Sequence, residues 1–334
     1  MISMIKEKIA GAIYGMALGD AMGMPSELWT KEKIHEYFGV ITDFLDGPSE
    51  NDVARYYKKG QFTDDTAQAL VLIESLITTN FEPNKKDFAK RLLSWAEDNK
   101  ALERNILGPA SKAALIAFKK GKVTDEITDK ALSNGSAMRI VPVGCLFQPY
   151  QKQELVQFVK EISGVTHSSD ITIAGAAIIA QGVSSAIIYN DFEMVVLDML
   201  EIEAISKPLG ARTFSPSLTE RIHLGIYLAK RYKNNEQIFM KKLYDLVGAG
   251  VSISESVPAA VAIAYYTQEP NQAAILSANL GGDTDTIGAM ATAICGAFCG
   301  VERITTYSLE VLRRANSVNF EKYVDILIQR RYER

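Results

Sequence analysis

The sequence predicts an all-α fold built as a single compact domain over residues 1–334. Apolar residues recur at helical spacing along most of the chain, and no segment shows the sustained two-residue alternation of a half-buried strand. Prolines and an Asn-Gly pair separate the periodic segments, whereas no Gly-, Ser- or Pro-rich linker divides the chain. We predict helices at 4–20, 66–79, 85–99, 109–120, 152–163, 171–189, 192–205, 217–232, 236–248, 256–267, 270–280, 285–300, 303–315 and 319–331.

Four glycines share one face of the first predicted helix because they recur every four residues. They are Gly11, Gly15, Gly19 and Gly23. A glycine inside a helix costs about 1 kcal/mol relative to alanine, so the stripe predicts close approach of a second helix. The predicted partner is the helix at 285–300, which repeats small residues at the same spacing. These are Ala289, Ala293 and Ala297, with Gly296 and Gly300 beside them.

Three apolar runs need a separate interpretation. The run at 140–147 has strand-like composition, but Pro142 and Gly144 interrupt it, and we predict no strand there. The uncharged stretches at 171–190 and 286–301 are interpreted as buried core helices. The first contains several polar residues, and the second is shorter than the ~20 residues that a membrane span needs.

Charge and cysteine content exclude several classes of protein. The formal net charge is −4, which argues against a general nucleic-acid-binding protein. Three cysteines are too few for a disulfide framework, and the N-terminus has no long apolar segment of the kind found in signal peptides. We therefore expect a cytoplasmic protein that binds neither nucleic acid nor membrane and forms a monomer or a small homo-oligomer.

Two clusters of carboxylates and threonines precede helices at distant points of the chain. The first reads TDDT at 63–66 and the second GGDTDT at 281–286. Either cluster alone is explained by helix capping, since Thr and Asp satisfy free N–H groups and complement the helix dipole. Two near-copies favour a shared metal site instead, because hard oxygen donors suit Mg²⁺, Mn²⁺ or Ca²⁺. Zinc fits poorly, because the three histidines are isolated from one another.

Charge arithmetic supports cations if the clusters meet. Five acids, namely Glu27, Asp64, Asp65, Asp283 and Asp285, carry a formal charge of −5, and two divalent ions would reduce it to −1. Isoprenoid synthases also bind Mg²⁺ through Asp-rich helices. Their D-D-x-x-D motif is not matched here, since Gln68 stands where the last Asp is required.

Four motifs follow one another between residues 11 and 300. They are GAIYGMALGDAMG at 11–23 with Glu27 behind it, FTDDT at 62–66, NGSAMR at 134–139 with Thr166-His167 downstream, and GGDTDTIG at 281–288. In this order they resemble the ADP-ribosylglycohydrolase family, which includes dinitrogenase-reductase-activating glycohydrolase and the ADP-ribosyl-acceptor hydrolases. The match covers nearly the whole chain and is nearest to a bacterial branch of unassigned substrate.

The resemblance implies a fold of the ADP-ribosylglycohydrolase type with a binuclear metal cleft that binds two Mg²⁺ ions, with Mn²⁺ as an alternative. The implied metal ligands are Glu27, Thr63, Asp64, Asp65, Asp283, Asp285 and Thr286. The implied substrate-binding residues are Asn134, Gly135, Ser136, Ala137, Met138 and His167. Among the acids, Glu27, Asp64 and Asp65 are the catalytic candidates for activating water at C1 of a ribose.

Several alternatives stay open at the level of sequence. The implied activity is hydrolysis of the C1 glycosidic bond of an ADP-ribosylated protein or small riboside. One alternative is an N-glycosidase for nucleosides, and another is a non-catalytic ADP-ribose-binding or structural relative. The polar residues beside His167 are also explained by helix capping, and Arg139 suits either a core ion pair or a phosphate contact.

Overall fold

Seventeen α-helices occupy most of residues 2–104 and 106–334, the part of the chain that the computed structural model describes. Their bounds are α1 Ile2–Gly23, α2 Lys31–Phe38, α3 Asp64–Thr78, α4 Lys85–Asp98, α5 Pro109–Lys119, α6 Asp125–Thr128, α7 Val141–Leu146, α8 Lys152–Ser163, α9 Asp170–Ile188, α10 Phe192–Ser206, α11 Leu218–Arg231, α12 Glu236–Leu246, α13 Ile253–Thr267, α14 Pro270–Ala278, α15 Thr284–Cys299, α16 Thr306–Asn316 and α17 Phe320–Glu333. No β-strand occurs in these described ranges, which confirms the all-α prediction.

Helices α1 and α15 pack against each other at the centre of the fold, as predicted. A Cβ added to Gly15 would lie 2.3 Å from the carbonyl oxygen of Thr292, and one added to Gly19 would lie 2.1 Å from that of Gly288. Such distances leave room only for hydrogen. The face that α15 presents differs from the predicted alanine stripe. It consists of Thr284, Gly288, Thr292 and Gly296, and Gly300 continues it just beyond the end of the helix.

The predicted helix boundaries hold within a few residues, but three helices were missed. The run at 140–147 contains the short helix α7. Pro142 fits there because it lies in the first turn, where a backbone N–H would have no hydrogen-bond partner within the helix. Helix α2 was not predicted because its sequence KEKIHEYF is mostly polar and buries only Ile34, so it shows no periodic apolar pattern. Helix α6 spans four residues, which is too short for a periodic pattern.

Helix α9 is a central core helix. It is the one helix of the described ranges that is long and apolar enough to cross a membrane, with a mean hydropathy of 1.9. In the fold, however, 94% of that apolar window is buried by neighbouring helices. The burial fits the predicted core helix of a compact helical domain.

Short backbone pairings between loops bring distant segments to one end of α1 and α15. Leu28 N–H donates to the carbonyl of Gly282 at 2.7 Å, and Gly282 N–H donates to that of Trp29 at 2.8 Å. Asn134 N–H donates to the carbonyl of Val251 at 3.1 Å. These bonds hold the segments at 27–29, 133–134 and 282–283 beside the start of α15.

Candidate metal centre

The structure brings the two acidic clusters together, although they are more than 200 residues apart in sequence. Thr63, at the start of α3, places its Oγ1 3.2 Å from an Oδ2 of Asp65 and 3.2 Å from an Oδ2 of Asp285. The first contact is local, whereas the second crosses to α15. All of the clustered side chains except Glu27 are buried, and Glu27 is partly exposed.

Two groups of carboxylates converge closely enough to share a cation. In one, single oxygens of Asp20, Asp65 and Asp285 all lie within 4.8 Å of one another. In the other, oxygens of Glu27, Asp283 and Asp285 do the same. Asp285 belongs to both groups, so the two positions are adjacent. Two of the remaining predicted ligands, Asp64 and Thr286, lie in the first turns of α3 and α15.

Neither cluster caps its own helix. The residues at the N-cap positions, Thr63 for α3 and Asp283 for α15, make no side-chain capping hydrogen bond. The capping explanation therefore does not account for these side chains. They turn toward one another and form the shared centre.

Asp20 is a sixth carboxylate of the centre, beyond the five predicted from the sequence. It lies within α1, fully buried, and accepts hydrogen bonds from Thr63 N–H at 2.7 Å and from Thr66 N–H at 2.9 Å. Thr66 Oγ1 donates to it as well, at 2.6 Å. Asp20 thus caps α3 from outside, which fixes the start of α3 against α1.

Two carboxylate oxygens in the centre lack a hydrogen-bond partner among the described residues. Oδ1 of Asp65 and Oδ1 of Asp285 are buried and accept no hydrogen bond from the described residues. A buried acceptor without a donor costs free energy, so each such atom calls for a ligand. Both belong to one three-carboxylate group, and hard oxygen donors of this kind suit Mg²⁺ or Mn²⁺. The residues present therefore fit a divalent cation.

Burial raises the pKa of every carboxylate in the centre, and neighbouring negative charges raise most of them further. Burial raises the pKa of Asp20 to about 6, and burial together with Asp20 raises that of Asp64 to about 8. Burial also raises the pKa values of Asp65 and Asp285 well above the usual range, and the next largest effect comes from Asp20 on Asp65 and from Glu27 on Asp285. That of Glu27 is raised by burial and then by Asp283 and Asp64.

The loop before α7 closes one side of the centre. Asn134 donates through Nδ2 to Oδ2 of Asp283 at 2.5 Å and to Ser256 Oγ at 3.0 Å, so it contacts the centre directly. The other predicted loop residues are also buried. Ser136 donates to the carbonyl of Thr172 at 3.2 Å, and Ala137 and Met138 join the packed interior.

His167 lies behind this loop rather than at its surface. It is fully buried, and a Cβ added to Gly135 would meet its Cε1 at 2.8 Å. Burial, with a smaller effect of Arg139, lowers the pKa of His167 to about 3, so its ring is neutral at physiological pH. Its neighbour Ser169 caps α9, which explains the polar residues beside it.

Arg139 is buried and makes no direct ion pair with any described residue, although the charge of Asp64 favours its protonated form. Neutral side chains accept from both of its terminal nitrogens. Its guanidinium donates to Gln68 Oε1 at 2.7 Å and to Thr166 Oγ1 at 2.6 Å. Burial lowers its pKa to about 10, which keeps it charged at neutral pH.

A cavity of about 700 Å³ adjoins the centre, and its wall includes Thr63. Its lining also includes Ala67 and Val71 of α3 and Trp95 of α4. Tyr57 also lines the cavity. Burial and then the carboxylates of Asp64 and Glu27 raise the pKa of Tyr57.

Comparison with known proteins agrees with this architecture. The family model for ADP-ribosylglycohydrolase matches residues 1–334. The chain is 41% identical to "Uncharacterized protein YegU" of Escherichia coli K12 over 98% of both chains. It is 26% identical to the ADP-ribosylhydrolase ARH3 of Homo sapiens, covering 89% of this chain and 86% of the human one.

Similarity of fold extends over the full length. A solved structure described as "ADP-ribosylglycohydrolase-related protein complex" superposes with a TM-score of 0.66 over 99% of both chains, at 21% sequence identity. At that identity the match shows the fold alone. Together with the full-length family match and the E. coli relative, it shows that the chain belongs to the ADP-ribosylglycohydrolase family of glycoside hydrolases.

Proposed function

We propose that this protein is a Mg²⁺-dependent hydrolase that cleaves the bond between C1 of a ribose and its substituent in ADP-ribosylated substrates. The observation that carries the proposal is the pair of three-carboxylate groups that share Asp285, in which buried oxygens of Asp65 and Asp285 have no hydrogen-bond partner among the described residues. Membership in a family of glycoside hydrolases supports the reaction. The ARH3 relatives, whose printed name is ADP-ribosylhydrolase, support the class of substrate.

Two Mg²⁺ ions are proposed for the centre, with Mn²⁺ as an alternative. Asp20 and the predicted ligands would hold them, the latter being Glu27, Thr63, Asp64, Asp65, Asp283, Asp285 and Thr286. When bound, the ions would lower the pKa of a water molecule and orient vicinal hydroxyls of the ribose. Asp20 differs from the other ligands because three donors already occupy its oxygens, so its main contribution is to hold α3 in place.

Glu27 is the proposed general base. It is partly exposed, whereas Asp65 and Asp285 are buried, so a water molecule at the edge of the centre can reach its carboxylate. Departure of the substituent leaves positive charge on the ribose ring, and the surrounding carboxylates stabilise that charge. The water oxygen bonds to C1, Glu27 takes the proton, and the proton passes to the departing group. Asp64 and Asp65 are the other proposed catalytic carboxylates.

The two parts of the substrate would lie on two sides of α3. The loop at 134–138 would hold the ribose and phosphate part, because Asn134 reaches the centre from that side. The 700 Å³ cavity that borders Thr63 would take the acceptor from which ADP-ribose is released, since its size is typical of ligand pockets. The substrate would be an ADP-ribosylated protein or a small riboside, met in the cytoplasm by a monomer or small homo-oligomer without nucleic acid or membrane.

Turnover with defined substrates tests the proposal. The purified protein, with and without Mg²⁺, is incubated with ADP-ribosyl-arginine, ADP-ribosyl-serine and a panel of nucleosides, and products are identified by mass spectrometry. We expect Mg²⁺-dependent release of ADP-ribose by the wild type and its loss in Asp285→Ala. The exposed Asp325→Asn serves as a matched control and should retain activity.

The alternatives correspond to distinct results of this assay. Cleavage of nucleosides alone would assign an N-glycosidase and refute the proposed substrate class. Absence of turnover on every riboside, with Mg²⁺ bound by the wild type and not by Asp285→Ala, would assign a non-catalytic relative. Activity that survives in Asp285→Ala would show that the acidic centre is not the site of the reaction.

A further inference from the structure

Arg139 connects two side chains that border the proposed site through its two hydrogen bonds. Gln68 on α3 and Thr166 after α8 each accept from one terminal nitrogen of the guanidinium, at 2.7 and 2.6 Å. Arginine has no acceptor atom, so each partner must present an oxygen to it. This requirement determines the direction of every hydrogen bond beyond Arg139, and two branches follow.

The first branch leads to Asp64. Because the Oε1 of Gln68 faces Arg139, its Nε2 must point the other way, and it donates to Asp64 Oδ2 at 2.8 Å. All three side chains are buried, so water does not compete for these bonds. Gln68 thereby holds one oxygen of Asp64 and leaves the other oxygen free to face the metal centre.

The second branch leads to His167. Thr166 Oγ1 already accepts from Arg139, and among the described residues the acceptor available to its proton is His167 Nδ1 at 2.7 Å. The neutral ring then carries its proton on Nε2, which lies 2.9 Å from Ser133 Oγ. Arg139 thus sets the tautomer of His167 through one hydroxyl group.

This second branch reaches the opposite side of the centre. The ring of His167 packs against the backbone at Gly135, where a Cβ would lie 3.2 Å from Nε2. The preceding residue, Asn134, binds Asp283. A fixed ring therefore supports the loop that holds Asp283, while Gln68 holds Asp64 on the other cluster.

We propose that Arg139 is a positioning residue that orients Asp64 through Gln68 and the 134–138 loop through Thr166 and His167. This inference rests on the proposed function, because it assigns Asp64 to cation binding and the loop to substrate binding. It adds that Gln68 and Thr166 serve these two tasks separately. Variants that interrupt only one branch, Gln68→Leu for the first and Thr166→Val for the second, therefore distinguish positioning from a merely structural role.

The tautomer of His167 is the first test. The chain has only three histidines, so ¹⁵N-histidine-labelled protein gives few ring signals, and His167→Gln assigns those of His167. We expect a proton on Nε2 and a hydrogen-bonded Nδ1 in the wild type and in Gln68→Leu. In Thr166→Val the ¹⁵N chemical shift of Nδ1 should move to that of a ring nitrogen that accepts no hydrogen bond. A proton on Nδ1 in the wild type would overturn the inference, whether or not the protein is an active hydrolase.

Separate measurement of two affinities is the second test. Mn²⁺ affinity by electron paramagnetic resonance should fall about 10- to 100-fold in Gln68→Leu, as is typical when a partner of a metal ligand is removed, and stay within about twofold in Thr166→Val. ADP-ribose affinity by calorimetry should show the opposite pattern. Arg139→Lys, which keeps the charge, should weaken both. Equal losses in both single-branch variants, in proportion to their melting temperatures, would assign a structural role and overturn the inference.

The two tests separate this inference from the proposed function. If the wild type releases no ADP-ribose but the tautomer and the Mn²⁺ affinities change as described, the positioning role stands and the activity fails. If the wild type hydrolyses substrate but Gln68→Leu keeps its Mn²⁺ affinity, the activity stands and the positioning role fails.

Discussion

Replacement of Gly15 by alanine tests how tightly the centre of the fold is packed. Gly15 lies in the middle of the glycine stripe of α1, and the added Cβ would lie 2.3 Å from the carbonyl oxygen and 2.9 Å from the carbonyl carbon of Thr292. Ordinary van der Waals contact begins at 3.4 Å, so the backbones of α1 and α15 must move apart to make room for the added Cβ. Neither atom belongs to a flexible side chain, and the strain cannot be relieved by a rotamer change.

Two opposing effects set the magnitude. Alanine stabilises a helix interior by about 1 kcal/mol relative to glycine. Overpacking of a close-packed interior costs about 1–3 kcal/mol, and backbone-to-backbone contact belongs at the upper end. We therefore expect a net destabilisation of about 2 kcal/mol. At an unfolding entropy of about 2.1 cal/mol/K per residue, this lowers the melting temperature of a chain of this length by about 3 °C.

Urea unfolding followed by circular dichroism measures this loss, and Gly108→Ala is the matched control. Gly108 precedes α5, and a Cβ added there meets no described residue within 4 Å, so its replacement should cost less than about 1 kcal/mol. If Gly15→Ala is as stable as the wild type or more so, helix propensity has dominated, and the close packing of α1 on α15 is refuted.

Four further predictions concern the centre and the cavity. In the metal-free folded protein Asp20 and Asp64 keep their protons up to pKa values of about 6 and 8, whereas the unfolded chain releases them near pH 4. The free energy of unfolding in urea should therefore fall as pH rises through 6 and 8. Added Mg²⁺ should remove this loss of stability. For the same reason Mg²⁺ binding at pH 6 should release more protons than at pH 9, as calorimetry in buffers of different ionisation enthalpy would show; equal release would contradict the raised pKa values. Asp20→Asn should lower the free energy of unfolding by about 2 kcal/mol, because it loses charged hydrogen bonds to the start of α3, whereas an unchanged urea midpoint would refute the external cap. Trp95→Ala should raise the KM for an ADP-ribosylated peptide and leave that for ADP-ribosyl-arginine unchanged if the cavity takes the acceptor; parallel effects on both would exclude this role.

The sequence was sufficient for those parts of the fold that depend on periodicity and local chemistry. The glycine stripe predicted the α1–α15 contact because only a close approach explains repeated glycines inside a helix. Repetition of acidic clusters predicted a shared centre, although neither cluster contains a signal for the other. The partner face of α15 was misassigned because alanines and glycines at the same spacing occur on two adjacent faces of that helix.

The remaining parts of the site depend on contacts that no local pattern encodes. Asp20 lies in the middle of an apolar helix, and its function becomes visible only when the start of α3 is placed against it. Gln68 counted in the sequence only as a departure from an isoprenoid-synthase motif. Its importance comes from Arg139, which is 71 positions further along the chain. Side chains that orient other side chains are identified by geometry and not by composition.

The charge of the centre connects its fold to its chemistry. Asp20 adds a sixth carboxylate to the five identified in the sequence, but Arg139 adds one buried positive charge, and the formal total stays at −5. Like charges 4 Å apart repel by about 4 kcal/mol at an effective dielectric of 20, so a buried group of this kind cannot stay fully ionised on its own. In the metal-free protein, burial raises the pKa of Asp20, and burial together with the charge of Asp20 raises that of Asp64, so both carboxylates bind protons more tightly than exposed ones. Cations and protons therefore compete for the same oxygens, and two divalent ions would bring the total to −1 while leaving the carboxylates ionised and able to accept a proton from water.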